Sequence, residues 1–238
     1  MDFSKTLFRC SALGKLLTDP RSKNEELSET TKSYLIEVYI NEVYGRKKNI
    51  DVKYTKKGLE VEEEAIQLYS EYKLGEYFEK NEEHYKNEWI KGTPDIVNKP
   101  VRVYDCKSPY DIFSYFDAIS KPLNKDYYAQ LQGYMWLTGV PNATLFYALI
   151  DTPKPLIFDE QRRLQWKMNA TEETPEFIEA CDIIENNLTY KDLPLNERIH
   201  EIEFSIDYEL IEKLKTRIMA SRVFLAEFHL KMLQKKQK

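Results

Sequence analysis

The sequence predicts an α/β fold, with a mixed central β-sheet flanked by helices. Three observations predict this class. Helical periodicity dominates residues 4–73, short runs rich in β-branched and aromatic residues lie in 85–107, and the apolar run ATLFYALI is typical of a central strand. A chain of 238 residues with 42% hydrophobic residues can bury one substantial core. We therefore expect a single domain over 1–238.

The N-terminal part of this domain is predicted to consist of helices within residues 4–45. The first runs from about Ser4 to Leu17 and stops near TDPRSK, where Pro20 breaks the period. The second runs from about Ser28 to Tyr44 and ends at Gly45. A third helix, from about Tyr54 to Lys73, begins the core of the domain, which we place at about 54–170.

The remaining elements follow in chain order. Short strands are expected between residues 85 and 107, a helix in NKDYYAQLQGYMWLTG, and then the central strand ATLFYALI. A further strand is predicted around RRLQWKM. Two closing helices, about 172–187 and 207–234, make the C-terminal helical part, 172–234.

Charge composition argues weakly against a protein that coats nucleic acid through bulk charge. Lys and Arg number 35 against 40 Asp and Glu, which gives a net charge of −5. A local basic groove remains compatible with this balance. The basic clusters at 46–48, at Lys56-Lys57 and in the tail KMLQKKQK are each expected to be a solvated face or a frayed terminus.

The Cys and His content limits the kind of metal site. The three cysteines lie far apart: Cys10, Cys106 and Cys181. The three histidines show no ligand spacing: His84, His200 and His229. Neither a disulfide framework nor a four-cysteine cluster can form within the chain, so any metal would be held mostly by oxygen, which favours magnesium or manganese. The chain shows no long apolar run and no signal-peptide h-region, so we expect a cytoplasmic protein without a membrane segment.

The segment KGTPDIVNKPVRVYDCKSPY places costly charges on predicted strands. Because strand side chains alternate, Asp105 and Lys107 project from one surface while Cys106 turns away. Asp95 lies ten residues earlier, a separation that fits a hairpin returning through VNKP. Two carboxylates about 4 Å apart repel by about 4 kcal/mol at a surface-like dielectric. A divalent cation would remove that cost.

Helical periodicity selects one glutamate in GLEVEEEAIQLYSEY. Glu62 falls within the apolar arc, whereas Glu60, Glu63 and Glu64 fall outside it. A charge on the buried stripe of a helix is typical of functional sites. A misjudged helix register or a buried salt bridge would also account for it.

Gln130 stands in line with Tyr127, Tyr134 and Leu137 on a later predicted helix, so it borders the packed face. A satisfied core amide is the other interpretation. Together, Glu62, Asp95, Asp105 and Lys107 are the groups that metal-dependent phosphodiester hydrolysis requires. The acids would hold one or two hard cations, and Lys107 would orient or deprotonate the attacking water or stabilise the developing charge.

Four motifs in this order resemble those of the PD-(D/E)XK nucleases, and among them the lambda-exonuclease or YqaJ-like viral recombination nucleases. KGLEVEEEA is similar to a G-x3-E helix, GTPDIV to the PD motif, YDCKSP to the (D/E)xK motif, and YYAQLQGYMWLTG to a glutamine helix. DPRSK followed by KSYLIEVYINEVYG is similar to the N-terminal part of the family. The resemblance covers most of residues 5–150 and implies a restriction-endonuclease-like core with N-terminal and C-terminal helices.

The resemblance also implies roles for individual residues. It implies Asp95, Asp105 and the Cys106 backbone carbonyl as metal ligands, Glu62 as a further acid, Lys107 as the catalytic lysine and Gln130 as a positioning amide. For the 5′-phosphate it implies a hydroxyl pocket, here Thr93 and Ser11. The family's arginine for this phosphate has no counterpart at its usual place, where the chain has Ser4 and Lys5, so Lys5 or Arg9 is the candidate substitute.

The implied function is Mg²⁺-dependent exonuclease activity on linear double-stranded DNA, with Mn²⁺ as a substitute cation. The family's usual direction, 5′→3′, leaves 3′ single-stranded tails for a single-strand annealing protein in phage-type recombination. The resemblance also implies a homo-oligomer, which is a ring-shaped trimer in the family. It further implies a protein encoded by a phage or prophage and active in the cytoplasm of a bacterial host.

Two other functions stay open at this point. One keeps the fold but makes the protein an endonuclease or a structure-specific nuclease, although the absence of four clustered cysteines argues against the RecB-type branch that carries an iron–sulfur cluster. The other is a non-catalytic DNA- or protein-binding module. The intact set of acids and lysine argues against that module, because these charges cost stability unless they bind something.

Overall fold

The computed structural model describes residues 1–22, 24–48 and 53–236. Lys23 of the DPRSK motif and the tail residues Gln237 and Lys238 lie outside the described residues. Within them, no helix is long and apolar enough to cross a membrane.

Helices make up most of the described chain. A 3-10 turn, Cys10–Ala12, precedes the first of them. The helices are α1 (Leu13–Leu17), α2 (Glu29–Tyr44), α3 (Lys53–Glu60), α4 (Glu62–Tyr72), α5 (Ile112–Ser120), α6 (Lys125–Thr138), α7 (Lys154–Met168), α8 (Pro175–Leu188), α9 (Leu195–Arg198) and α10 (Tyr208–Lys236).

The strands form two sheets, which we call the main sheet and the small sheet. Their bounds are β1 (Phe8–Arg9), β2 (Tyr85–Lys86), β3 (Ile90–Gly92), β4 (Ile96–Asn98), β5 (Arg102–Lys107), β6 (Asn142–Ala148) and β7 (Ile199–Ser205). The main sheet has the order β4-β5-β6-β7 and the small sheet the order β1-β3-β2. In the main sheet β5 and β6 are parallel, whereas β4 and β7 are antiparallel to their neighbours. The predicted fold class, a mixed sheet flanked by helices, is confirmed.

The main sheet is buried on both faces, and strand alternation decides which helix each face meets. Leu145 and Tyr147 of β6 belong to the core cluster that contains α6, whereas Phe146 and Ala148 belong to the cluster that contains α4. Along β5, Val103 faces the α6 side. By the same alternation the carboxylate of Asp105 also points toward α6.

The first predicted helix is wrong for residues 4–9. Phe8 and Arg9 form strand β1, which pairs in parallel with β3 at the register Phe8↔Ile90. Phe8 is buried, Arg9 is exposed and Cys10 is buried again. This period of two fits a strand, and tertiary pairing overrides the weak helical pattern.

The predicted helix 54–73 is interrupted at Val61, which has non-helical torsions (φ −105°, ψ 5°) and separates α3 from α4. The interruption turns the start of α4 into a new helix N-terminus. Glu62 is the first residue of α4 and lies in its first turn, where carboxylates are favoured by the helix dipole.

The predicted strand around 162–168 is also wrong, because these residues lie within α7. The fourth strand of the main sheet instead comes from β7, which pairs with β6 through Leu145↔Ile202. β7 lies inside the segment expected to hold only closing helices. The second half of its sequence alternates in the manner of an edge strand, with Ile202 and Phe204 packed on the core and Glu203 and Ser205 exposed.

The predicted helices α2 and α6 are confirmed together with their end signals. Ser28 caps α2 by accepting a hydrogen bond from the backbone N–H of Thr31, and Gly45 ends the helix in a left-handed conformation at φ 62°. Asn124 and Gly139 do the same for α6. Together with α5, α6 connects the parallel strands β5 and β6.

Candidate active site

The hairpin β4–β5 brings the two predicted aspartates together. The strands pair antiparallel with Ile96 opposite Tyr104, so Asp95, just before β4, lies beside the end of β5. Its Oδ2 accepts a hydrogen bond of 2.7 Å from the backbone N–H of Cys106. The hairpin through VNKP, with a cis bond at Lys99-Pro100, therefore gathers Asp95 and Asp105 as predicted.

Asp105 is almost completely buried, at 1% exposure, which makes its charge costly unless it is compensated. The side-chain amide of Gln130 donates a 3.0 Å hydrogen bond to Oδ1. The other oxygen, Oδ2, lies against the ammonium of Lys107 but accepts no hydrogen bond of normal geometry from the described residues. One buried carboxylate oxygen thus retains acceptor capacity.

The pKa of Asp95 reflects the charges of all the neighbouring side chains. Burial raises the pKa of Asp95 well above its usual value of 3.8, and the negative charges of Asp105 and Glu62 add to that effect. The ammonium of Lys107 and the hydrogen bond from Cys106 act in the opposite direction without cancelling it. Negative charge is therefore in excess at this point of the fold.

Lys107 shares a face with Asp105, as strand alternation predicts, and forms an ion pair with it. Burial lowers the pKa of Lys107, but the carboxylates of Asp105 and Asp95 outweigh burial and hold the pKa above its usual value. The ammonium also lies 5.0 Å from the ring centroid of Tyr127 on α6. Lys107 is consequently protonated at neutral pH.

The start of α4 turns the side chain of Glu62 toward the carboxylates of Asp95 and Asp105. Its side chain is 22% exposed, against 84% for the neighbouring Glu63, which confirms the inward position that periodicity predicts. Glu62 Oε1 lies 3.3 Å from the ammonium of Lys80. The same helical period also groups Leu59 with the apolar side chains, and that grouping is wrong, because Leu59 is 70% exposed.

These side chains line one cleft of about 860 Å³ at the C-terminal end of β5. Glu62, Asp95, Asp105, Lys107 and Gln130 all contribute to its wall. Helix α5 supplies a further side of it. The cleft is large enough for a nucleotide-sized ligand.

The donor set fits a hard divalent cation. Two adjacent carboxylates provide the ligands that magnesium prefers, and among the described residues Oδ2 of Asp105 accepts no hydrogen bond of normal geometry. A cation would also offset the excess negative charge. Within the described ranges, no group of three or more His, Cys, Asp and Glu side chains is close enough to hold a metal alone.

The residues predicted for the 5′-phosphate lie outside the lining of this cleft. Thr93 is exposed and its hydroxyl lies 2.9 Å from Nδ1 of His84. Ser11 is exposed in the 3-10 turn and Lys5 is exposed near the N-terminus. Arg9 lines a separate depression beside Tyr34. Their role at a 5′-phosphate stays a prediction.

Three contributors to the site were missed from the sequence. Tyr134 orients the side-chain amide of Gln130, whose Nε2 donates a 2.8 Å hydrogen bond to the Tyr134 hydroxyl. Lys80 follows no pattern that would have marked it. Lys57, expected in a solvated basic cluster, is fully buried, and its ammonium donates a 2.8 Å hydrogen bond to the carbonyl of Tyr110 in the cleft wall.

Comparison with solved structures identifies related folds over almost the whole chain. A phage-related exonuclease from Haemophilus somnus 129PT has a TM-score of 0.75 and 28% sequence identity, with 96% of this chain and 97% of that chain covered. An alkaline exonuclease from Laribacter hongkongensis has a TM-score of 0.63 and 16% identity, with 98% and 94% covered. A structure of the latter in complex with dAMP matches at the same TM-score and identity, with 97% and 93% covered.

No family model matches the sequence, and no curated protein matches it. The structural matches nevertheless confirm the resemblance that the four motifs indicate. They also extend it beyond residue 150, because the alignment includes nearly all of both chains.

Proposed function

We propose that this chain, whose fold is that of the phage-type exonucleases among the PD-(D/E)XK nucleases, removes nucleotides from the ends of linear double-stranded DNA. The observation that carries the proposal is the gathering of Asp95, Asp105 and Lys107 with Gln130 in one cleft. The 28% identical structural relative is described as an exonuclease, which supports the same activity here.

We propose Mg²⁺ as the cofactor, with Mn²⁺ as a substitute. Asp95, Asp105 and the main-chain carbonyl of Cys106 would hold it, with Glu62 as a further acid. When bound, the cation lowers the pKa of a water toward neutrality and neutralises charge on the scissile phosphate.

The side chains around the carboxylates have distinct tasks in this proposal. Gln130 fixes Oδ1 of Asp105, and Tyr134 fixes Gln130, so the carboxylate keeps one orientation. Lys107, held protonated by the two aspartates, places a positive charge beside the reacting phosphate. Of the roles expected for Lys107, this favours charge stabilisation over deprotonation of water.

The direction and the biological role are the finer part of the proposal. We propose 5′→3′ digestion that leaves 3′ tails for a single-strand annealing partner in phage-type recombination, by a ring-shaped homotrimer. Light scattering gives the number of subunits, and end-labelled duplexes give the direction.

The activity itself is tested with a 5′-phosphorylated linear duplex and a covalently closed circle of the same sequence, each with Mg²⁺ or with a chelator. We expect mononucleotide release from the linear DNA with Mg²⁺ only, and an intact circle. Asp105→Ala should lose at least about a hundredfold in rate, because the buried ligand pair is broken.

The matched control is Asp159→Ala, since Asp159 is a surface acid on α7 paired with Arg162. It should digest DNA at the parent rate. Digestion of linear DNA by Asp105→Ala as fast as by the parent, or cutting of the closed circle, would contradict the exonuclease proposal.

A further inference from the structure

A row of three basic side chains crosses the outer face of the small sheet. Arg9 of β1 pairs with Lys91 of β3, and Lys91 pairs with Lys86 of β2. Directly paired residues project from the same face, so the three cations stand side by side, about 5 Å apart from strand to strand. We call Arg9, Lys91 and Lys86 the basic row.

The buried face of the small sheet explains why the residues of the basic row point outward, but not why they are positively charged. Phe8 and Ile90, one residue earlier on β1 and β3, are buried at 1% and 0% exposure in the main core. The alternate positions therefore have to face outward. Outward positions accept any polar residue, so packing does not require three cations there.

Like charges directly opposite each other destabilise a sheet unless something offsets them. In the described part of the chain, none of the three side chains forms an ion pair with an acid. Arg9 and Lys91 also line a depression of about 250 Å³, where Glu37 and Glu42 face Lys47 and Lys48 and Glu37 pairs with Lys48. The positive charge is therefore concentrated in the basic row itself, in a protein of net charge −5.

The basic row is connected to the cleft by the chain itself. From Lys91 the chain continues through Thr93 to Asp95. The neighbouring segment stays paired along this path, since the backbone N–H of Asn81 donates a 2.7 Å hydrogen bond to the carbonyl of Asp95. At about 3.3 Å per residue in a fully extended chain, Lys91 lies no more than roughly 13 Å from Asp95. That is within a few nucleotides of a phosphate held in the cleft.

We propose that the basic row holds the phosphate backbone of the DNA duplex beside the cleft, a few nucleotides from the bond that is cut. The proposal rests on the proposed nuclease function and gives the substrate a path over the surface. Phosphate is a suitable partner because it supplies anions to three cations that form no ion pair with an acid in the described residues, and because such contacts bind DNA without regard to sequence.

The test is the salt dependence of DNA binding by the double variant Lys86→Gln/Lys91→Gln. Fluorescence anisotropy with a short labelled duplex, in chelator to stop digestion, gives the dissociation constant between about 50 and 200 mM KCl. We expect binding weakened at least about tenfold, for every DNA sequence, and a plot of log K against log[salt] with its slope smaller by roughly 2.

The matched control removes the same charge elsewhere. Lys154→Gln/Lys167→Gln changes two exposed lysines of α7 that form no ion pair in the described residues, and it should bind as the parent does. Lys86→Arg/Lys91→Arg should restore binding. Thermal melting of all variants separates lost binding from lost folding.

The outcomes separate the two proposals. If the parent digests linear DNA but Lys86→Gln/Lys91→Gln binds DNA with the parent's affinity and salt slope, the proposed role of the basic row is overturned and the nuclease function stays intact. If the parent binds DNA but never digests it, and Lys86→Gln/Lys91→Gln loses that binding, the result would support DNA binding by the basic row and contradict the nuclease function. Equal loss in the α7 control would also overturn the row, because net charge alone would then explain binding.

Discussion

At the scale of single residues, the site depends on charges that the fold buries together. Asp105 is almost inaccessible and Asp95 has a raised pKa. Among the described residues, Lys107 is the one cation that forms an ion pair with either acid. Such an arrangement costs stability in the metal-free protein. The cost is the physical reason to expect a cation, and it makes the pH dependence of stability informative.

The first prediction concerns Asp95. Because its folded pKa is raised above the unfolded value, the folded protein binds the extra proton, and its stability falls as pH rises from about 4 toward neutrality. Asp95→Asn removes this titration and keeps an acceptor for the N–H of Cys106. In chelator, denaturant unfolding should show parent stability falling with pH relative to the variant over that range.

With Mg²⁺ in place of the chelator, the parent should be more stable than Asp95→Asn near neutral pH, because only the parent retains both carboxylates for the cation. An Asp95→Asn protein whose stability follows the same pH curve as the parent in chelator would show that the carboxyl is not raised in pKa.

The second prediction concerns Lys57, whose burial lowers its pKa to about 8 although the carboxylates of Asp111, Asp151 and Glu64 act to raise it. The unfolded chain therefore binds more protons than the folded one between about pH 8 and 10.5. Parent stability should rise in that window relative to Lys57→Met, by about 3 kcal/mol in total.

The two rings that contact this ammonium are present in both proteins, so their own titration cancels when the parent is compared with Lys57→Met. Lys57 lies 5.9 Å from the Tyr110 centroid and 5.5 Å from that of Tyr190, and burial raises the pKa of both phenols. Lys167→Met, at an exposed position, is the control and should show no such rise. A parallel course of the parent and Lys57→Met curves would contradict a buried, charged Lys57.

Residue patterns predicted the acids better than they predicted their neighbours. Strand alternation placed Asp105 and Lys107 on one face, and helix periodicity turned Glu62 inward. Lys57 stands four residues before the buried Val61, so the same period could have placed it inside, but a lysine in a basic pair suggested a solvated face. Lys80 carries no periodic signal at all, because it lies in a connecting segment.

At the scale of elements, the site requires α6 to approach the N-terminal segment closely. Gly133 on α6 permits this: a Cβ added there would lie 2.6 Å from Cδ1 of Leu13 and 2.9 Å from Sγ of Cys10. The contact holds the helix that carries Gln130 against the 3-10 turn and α1. Close packing therefore extends from the N-terminal segment to the amide that orients Asp105.

The third prediction is that Gly133→Ala destabilises the protein by about 1–3 kcal/mol, although alanine favours helices more than glycine does. Gly58→Ala is the control, because a Cβ at Gly58 in α3 meets nothing within 4 Å. That variant should be stabilised by up to about 1 kcal/mol. Equal stabilisation of both variants in denaturant titrations would contradict the close contact at α6.

Element boundaries were predictable where local end signals exist. Ser28, Gly45, Asn124 and Gly139 marked α2 and α6 correctly. Strand β1 was missed because its two residues gain their conformation from pairing with β3, far away in the sequence. Segment 162–168 was taken for a strand although it continues α7, and the alternation in β7 was overlooked.

At the scale of the whole molecule, the main sheet is completed by residues from the C-terminal part. The motif resemblance thinned after residue 150, yet β7 pairs along the full length of β6 and α10 packs on α1 and α2. The structural relatives are covered almost from end to end. The C-terminal part is therefore integral to the fold that presents the cleft.

Net charge and local charge have different consequences for the molecule. The negative total predicts weak bulk attraction to DNA, whereas our proposals place phosphate locally, at the basic row and in the cleft. Sequence counts could not reveal the row, since Arg9, Lys86 and Lys91 become neighbours only through strand pairing.

The central claim is that the carboxylates of Asp95 and Asp105 together hold a hard divalent cation. Calorimetric titration of Mn²⁺ into the parent, Asp105→Asn and the surface control Asp159→Asn tests it most directly. The account predicts saturable binding to the parent and the control, with Asp105→Asn weakened by at least about tenfold. Equal Mn²⁺ affinity in all three proteins, or no binding to the parent, would contradict it.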